Sequence, residues 1–486
     1  MNNAITAYLI SAIHWLIVCV LTLRIVMRRP PQGVAAAWLV LIVTIPFFGA
    51  LTYFLIGERR IGEKRTKSIA ALRTDFRVIL DALVHRDLTE VDWTRHDASA
   101  QRLDLLGRKL SNSPTVRSNT LQLTTTSGEI LRAIAADIDS SKTSVLMEFY
   151  IWAEGGSADE VVEAVIRAAS RGVDCRLLID AIGARPWWKG KQPQRLRDAG
   201  VRVVPALPVS LFRTFVGRTD LRLHRKIVVI DGDVAWTGSM NLVDPKYFKQ
   251  EAGVGEWVDA MVRVEGAAVG LLAATFVGDW LLETSDSLEQ LVRDAGLKLT
   301  ASGGTADVQV FPSGPGETDD GLLQMVIEAV NAADFQLTIT TPYLVPDDSL
   351  LRALRLAAGR GVKVQLILPE KVDSVLTRYA SRSYYDDLLN EGVEIYLFKG
   401  GLLHTKSIVA DHSISMFGTV NMDMRSLWLN YEVALFIYDP DFAAQLYQLQ
   451  TQYMRNSVRL IGEVWRQRSF HERVIENTLR LMSPLL

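Results

Sequence analysis

A pattern of five residue types occurs twice in this chain with identical internal spacing, and it restricts the possible folds more than any other feature. The first copy, at 221–241, reads LRLHRKIVVIDGDVAWTGSMN, and the second, at 402–421, reads LLHTKSIVADHSISMFGTVN. Each runs His, a Lys two residues on, a mostly apolar run ending in Asp, a Gly followed by Ser or Thr, and Asn. The members are His224, Lys226, Asp231, Gly238 and Asn241, then His404, Lys406, Asp411, Gly418 and Asn421, each recurring 180 residues later. Such a match implies that a whole domain has been duplicated.

The flanking sequence repeats in the same order. The strand-like runs RGVDCRLLID at 171–180 and RGVKVQLILP at 360–369 each follow an amphipathic helical stretch, ADEVVEAVIRAAS and SLLRALRLAAG. Alternating helices and strands predict an α/β chain with two pseudo-symmetric lobes, at 116–290 and 291–486, built on mixed, largely parallel sheets. The lobes differ in one place. Gly200 precedes His224 by 24 residues, whereas Gly392 precedes His404 by 12. The extra residues fall within PALPVSLFRTFVGRTDLRL, where Leu211, Phe212 and Phe215 alternate with Arg213, Arg218 and Arg222. Two readings stand for this insert, an ordinary loop with buried aromatics or a lipid-facing lip. The same choice applies to Trp187 and Trp188 beside Lys189 and Lys191, and to the Arg-rich amphipathic helix expected at the C-terminus.

Ahead of the lobes the chain is apolar. Residues 1–23 and 30–57 contain no Asp, Glu, Lys or Arg. Their apolar parts, about 3–23 and 33–56, are each long enough for the roughly 20 residues a membrane crossing needs. A membrane hairpin at 1–57 is therefore expected, either with two crossings or with a re-entrant second arm bent at Pro46. Basic residues are richer after the second segment (Arg59, Arg60, Lys64, Arg65, Lys67) than in the turn (Arg24, Arg28, Arg29), which puts the lobes on the cytoplasmic side. Residues 58–115 read as a polar helical linker, a spacer without visible chemistry. The formal net charge of −2 argues against a general nucleic-acid binder.

Side chains two apart on a strand share a face, so His224 lies with Lys226 and His404 with Lys406. Two related lobes meeting about an approximate two-fold would bring both pairs to one cleft. That set suits phosphodiester chemistry: one neutral imidazole attacks phosphorus while a second, protonated one donates to the leaving alkoxide. The model imidazole pKa of about 6.5 allows both states near neutrality. Lys226, Lys406, Asn241 and Asn421 can supply donors to the non-bridging oxygens, with the hydroxyls of Ser239 and Thr419 adding to them. Each imidazole needs a partner on its other nitrogen. Asp259 and Glu432 are the candidates, because each is an acid in an otherwise apolar strand and is costly to bury unpaired. Asp231 and Asp411 are read as braces for the turn that follows each strand. No His, Cys and carboxylate cluster has metal-ligand spacing, so neither a metal nor another cofactor is expected.

The paired HxKxxxxD strings with G(S/T)xN resemble the phospholipase D superfamily. Together with the N-terminal apolar segments, the runs MEFYIW, GSMNLVDPKYF, TTPYLVPDD, GGLLHTKS and GTVNMDMRSLWLNYEV are similar to two-lobed bacterial cardiolipin synthases over essentially the whole chain. Thr419 in place of a second serine keeps the hydroxyl. The resemblance implies His224, Lys226, Asp231, His404, Lys406 and Asp411 as the catalytic set. It also implies phosphatidylglycerol as donor and acceptor, a phosphatidyl-histidine intermediate, and cardiolipin and glycerol as products. His224 would be the nucleophile and His404 the general acid and base. The setting implied is a multi-pass protein of the bacterial inner membrane, with the bilayer as partner and neither nucleic acid nor metal. Three rivals remain: a hydrolytic phospholipase D with water as acceptor, a nucleic-acid phosphodiesterase, and an inactive membrane scaffold.

Overall fold

The computed structural model describes residues 2–28, 32–45, 47–57, 65–69, 71, 86–208, 218, 220–296, 298–318, 320–481 and 483. The chain forms two compact units, one comprising residues 1–66 and 209–220, the other 67–208 and 221–486.

In the first unit, helix α1 (Asn2–Arg28) has 27 residues. At 1.5 Å per residue it is about 40 Å long, enough to cross a bilayer. Its Leu9, Leu16 and Leu23 face outward, while Val18 and Ile25 pack with Ile42 of helix α2 (Gln32–Thr44). The second apolar segment departs from a simple span. Helix α2 has 13 residues, and only α1 is long and apolar enough to cross among the described residues. The helix ends at Thr44, and Pro46, the expected bend, lies outside the described residues. Phe47 then takes φ 60° and a short helix, Phe48–Thr52, folds back on α2. Gly49 permits this contact, since a Cβ there would lie 2.3 Å from the Leu41 carbonyl oxygen. Within the insert, Arg218 pairs with Asp220 at 2.5 Å. Leu211, Phe212, Arg213 and Phe215 lie outside the described residues.

The second unit holds both lobes. The first contributes strands β1 (Thr115–Thr124), β2 (Ser144–Phe149), β3 (Asp174–Asp180), β4 (Arg202–Ala206), β5 (Ile227–Ile230), β6 (Val234–Gly238) and β7 (Met261–Glu265). The second repeats them as β8 (Ala306–Ser313), β9 (Gln336–Thr340), β10 (Lys363–Pro369), β11 (Glu394–Phe398), β12 (Ser407–Ala410), β13 (Ile414–Gly418) and β14 (Glu432–Tyr438), followed by β15 (Ser457–Arg459). All fifteen join one sheet in the order 15-11-10-9-12-13-14-8-1-7-6-5-2-3-4, and the lobes meet where β1 pairs antiparallel with β8. The expected mixture of strand directions is present, with the parallel share confined to β2, β3 and β4 and to β9, β10 and β11. Those strands are linked by crossover helices such as Ser157–Ser170 and Asp348–Gly359, whereas β5–β6 and β12–β13 are joined by tight turns that force antiparallel pairing.

Each lobe buries an outer apolar layer of its own, and a third layer is shared. There Phe276, Val277 and Trp280 of helix Ala267–Glu283 pack with Val308, Val310, Phe417 and Leu435, so side chains of both lobes form one core. The described end of the linker packs on the second lobe. Ala100 and Leu103 of helix Ala98–Ser111 pack in the second-lobe core beside Phe311 and Val326, and His96 bonds Asp307 at 2.8 Å. Trp187 is likewise internal: it packs on Trp152 and donates to Gln192, while Trp188 donates to the Asp180 carbonyl. Trp187 is buried by these contacts, whereas Trp188 stays half-buried.

The repeated glycines lie where neighbouring strands run closest. A Cβ on Gly238 would sit 2.5 Å from the Ala260 carbonyl oxygen, and one on Gly418 would sit 2.4 Å from that of Val433. Both obstacles are backbone. Gly418→Ala should therefore lower stability by about 1–3 kcal/mol, read as a drop in Tm of the detergent-solubilised protein. An unchanged Tm would show that β13 and β14 can separate freely.

Candidate active site

The two motif histidines precede their strands, in segments that the opposite lobe holds in place. Leu223 bridges to Tyr431, and the His224 N–H donates to the Tyr431 carbonyl at 2.9 Å. In mirror fashion Leu402–Leu403 pairs with Trp257–Val258, and the His404 N–H donates to the Val258 carbonyl at 2.8 Å. The residues after Tyr431 and Val258 are Glu432 and Asp259. Each acid is thus delivered to the histidine of the other lobe, with His224 Nδ1 2.8 Å from Glu432 Oε2 and His404 Nδ1 2.7 Å from Asp259 Oδ1. A carboxylate accepts only, so Nδ1 carries the hydrogen and Nε2 keeps its lone pair.

The site is almost dry. Lys226, Lys406, Glu432 and Asp259 are buried, as are both histidines. Burial lowers both imidazoles to about 4 against the pull of their carboxylates, and each feels the charge of both lysines. Burial also lowers Lys226 to about 8 and Lys406 to about 7. Burial raises the two acids, but the facing imidazoles and lysines pull both below their usual values. Each lysine Nζ donates to the carbonyl of its own histidine at 2.6 Å.

The remaining sequence candidates fall into three groups. Ser239 and Thr419 were expected to face phosphate, yet their hydroxyls donate at 2.6 Å to Asp259 and Glu432. They follow the close-approach glycines, and that placement turns them onto the acids. Asn241 Oδ1 accepts from the Ile151 N–H at 3.1 Å, and Asn421 hydrogen-bonds Asp423. Asp231 and Asp411 stand apart from the imidazoles, five residues beyond each lysine, about 16 Å along an extended strand. Asp231 accepts from the backbone N–H groups of Lys142, Thr143 and Ser144, and Asp411 from those of Asp334, Phe335 and Gln336. In this structure the motif aspartates hold the loops entering β2 and β9.

Several neighbours escaped the sequence reading. Tyr150 packs against the His224 ring at 5.1 Å and Trp257 against His404 at 4.4 Å. Glu432 also accepts from Ser426 and Asn430, whereas Asp259 Oδ2 has no protein hydrogen-bond partner. Between His224 and Lys226, Arg225 projects to the opposite side of the strand. It donates to the Glu432 and Ser313 carbonyls at 2.9 and 3.0 Å and pairs with Asp279. Its counterpart Thr405 meets only neutral oxygens, Tyr453 Oη and the Val258 carbonyl. The MEFYIW run carried Tyr150, but nothing in its pattern distinguished that tyrosine from core.

The domain description "Cardiolipin synthase, PLD-like domain" matches residues 134–258 and 326–453, and "Phospholipase_D-nuclease N-terminal" matches 12–58. Cardiolipin synthase A of Yersinia pseudotuberculosis serotype O:3 (strain YPIII) is 42% identical over 473 residues, covering 97% of each chain, and that of Yersinia pestis matches equally. The chain belongs to the cardiolipin synthase family. A phosphatidylserine synthase from Haemophilus influenzae Rd KW20 shares the fold, with TM-score 0.60 at 15% identity over 79% of this chain and 100% of that one. As a cardiolipin synthase of the phospholipase D superfamily, the chain is a membrane-associated enzyme with two phospholipase D-like regions, and its N-terminal apolar helix agrees with that setting.

The placement of the acids separates two kinds of variant. Asp411→Ala should destabilise the fold by about 1–3 kcal/mol through lost backbone hydrogen bonds while leaving kcat near wild type well below the melting point. Glu432→Gln should do the reverse, with kcat down on the order of a hundredfold or more and Tm less affected. Loss of turnover in a stably folded Asp411→Ala would show that the motif aspartate acts in the chemistry.

Proposed function

We propose that the protein transfers a phosphatidyl group between two phosphatidylglycerol molecules, forming cardiolipin and glycerol. The observation that carries this reading is the pair of buried imidazoles, each held by a carboxylate of the opposite lobe. Family membership supplies the substrate class. In the first step His224 Nε2 attacks phosphorus, the bond from phosphorus to the headgroup oxygen breaks, and protonated His404 gives that oxygen a proton. Glycerol leaves and the phosphatidyl group rests on His224. In the second step the terminal hydroxyl of another phosphatidylglycerol yields its proton to His404, its oxygen attacks phosphorus, and the bond to His224 breaks. One phosphodiester replaces another, so no nucleotide is needed.

The electrostatics fit this sequence. With both imidazoles neutral, two ammonium groups offset two carboxylates. A bound phosphodiester adds one negative charge, which raises the nearby imidazole and lysine pKa values and favours a proton on His404. Lys226 and Lys406 then stabilise charge on the non-bridging oxygens in a site poor in water. The repeated motif supports assigning Asn241 and Asn421 to the phosphate's surroundings.

For the anchor, we place α1 across the bacterial inner membrane, with the second apolar segment dipping in and returning. The break after α2 and the fold-back at Gly49 support that path. Both basic stretches, at 24–29 and 59–67, then lie together on the cytoplasmic side with the lobes.

Detergent-solubilised protein given labelled phosphatidylglycerol without nucleotide should make cardiolipin and glycerol in equal amounts. Phosphatidic acid as the sole lipid product would identify a hydrolase. His224→Ala and His404→Ala should each lose at least about a thousandfold in rate, and near-full activity in either would sink the two-histidine mechanism. A second expectation concerns pH. The lysines must be charged, and their folded values of about 8 and 7 lie below the ordinary 10.5. Because kcat/KM reports groups of the free enzyme, it should fall as pH rises through 7 to 8. Lys406→Arg keeps its charge and should flatten that alkaline limb whatever activity it retains. An unchanged limb would assign the titration to another group.

A further inference from the structure

The C-terminal helix Phe470–Arg480 is built with charge inside and apolar residues outside. Glu476 is fully buried, where it pairs with Arg382 at 2.6 Å and Arg468 at 3.1 Å. At 3.6 residues per turn, Phe470, Val474 and Leu481 fall on the opposite side, and they are 68%, 45% and 81% exposed. A helix held to the fold by its polar side leaves its apolar side available to something else.

The helix it packs on continues this surface. Val375–Ser383 opens with Val375 and Leu376, 67% and 44% exposed. It starts two residues after Asp373, which accepts from Tyr343 Oη at 2.7 Å and meets Lys249 at 3.3 Å. Lys249 lies over Trp257, the ring packed on His404, and Val372 packs in the same apolar cluster as Trp257. The exposed apolar surface therefore begins at the rim of the catalytic cleft. Arg378, Arg466 and Arg473 are exposed on these helices and the segment before the last one, as are two acids, Glu463 and Glu472.

We propose that this face docks on the bilayer, with Phe470, Val474, Leu481, Val375 and Leu376 entering the headgroup and acyl boundary and the arginines meeting lipid phosphates. It would be a membrane contact additional to α1, setting the second-lobe rim of the cleft at headgroup depth. The inference rests on the proposed lipid substrate for its purpose, but its geometry stands apart from turnover. With three exposed arginines against two exposed acids the face is net positive, which repels a second copy and suits an anionic bilayer.

The full chain in vesicles of phosphatidylcholine and phosphatidylglycerol, doped with a phospholipid carrying an acyl-chain diazirine, tests this directly. After illumination, adducts should map to 470–481 as well as to α1, and adducts confined to residues 1–57 would overturn the proposal. This readout holds whether or not cardiolipin is made, so it separates failure of the docking from failure of the proposed reaction. Phe470→Glu with Val474→Glu should then cut turnover on vesicles at least about tenfold and leave turnover on micellar phosphatidylglycerol unchanged. Equal loss on both substrates, loss on neither, or a change in oligomeric mass would each overturn it.

Discussion

Everything in the catalytic unit depends on two hydrogen bonds that cross between lobes, from His224 to Glu432 and from His404 to Asp259. A buried carboxylate without partners is costly, and so is a buried lysine. Each lobe supplies a histidine and a lysine but receives the compensating acid from its twin, so neither lobe holds a complete site. The continuous sheet and the shared layer around Phe276, Val310 and Leu435 follow from the same demand. Two rings must be held to hydrogen-bond accuracy across a lobe boundary, which requires a boundary as well packed as a core.

The sequence made much of this legible because phosphoryl transfer needs the same atoms twice. Duplication put His, Lys, Gly and Asn on the page in matched spacing, and Asp259 and Glu432 stood out as charges in apolar strands. The exchange of partners did not. His224 and Glu432 are 208 residues apart, and no local pattern states which imidazole meets which acid. The direction of the motif hydroxyls is hidden from the sequence for a related reason. A Gly-Ser or Gly-Thr turn is a plausible phosphate cradle, and only the strand spacing at Gly238 and Gly418 shows the hydroxyls turned onto the acids.

Elsewhere composition was a weaker guide than local backbone chemistry. The second apolar segment has the length of a span, yet α2 ends at Thr44 and Gly49 allows the chain to return along it. Trp187 and Trp188 beside lysines look interfacial in sequence, but Gln192 and the Asp180 carbonyl give both indoles internal acceptors. The outward apolar stripe of the last helix could be assigned only after Glu476 was seen on the inside.

The pseudo-symmetry breaks where the two proposed histidine roles diverge. Glu432 accepts from Thr419, Ser426 and Asn430 besides His224, and Arg225 fixes its backbone carbonyl. A carboxylate so fully engaged is a weaker base and holds its imidazole in place without drawing a second proton to it, which suits a nucleophile. Asp259 has one oxygen without a protein partner among the described residues, and Trp257 packs tilted against His404. The free carboxylate oxygen leaves Asp259 with charge to offset a second proton on the facing imidazole. When an anionic phosphodiester enters, the proton should therefore settle on His404. In the proposed assignment, the lobe with the charged Arg225 anchor keeps the neutral ring, and the lobe with Thr405 in that position carries the ring that changes charge.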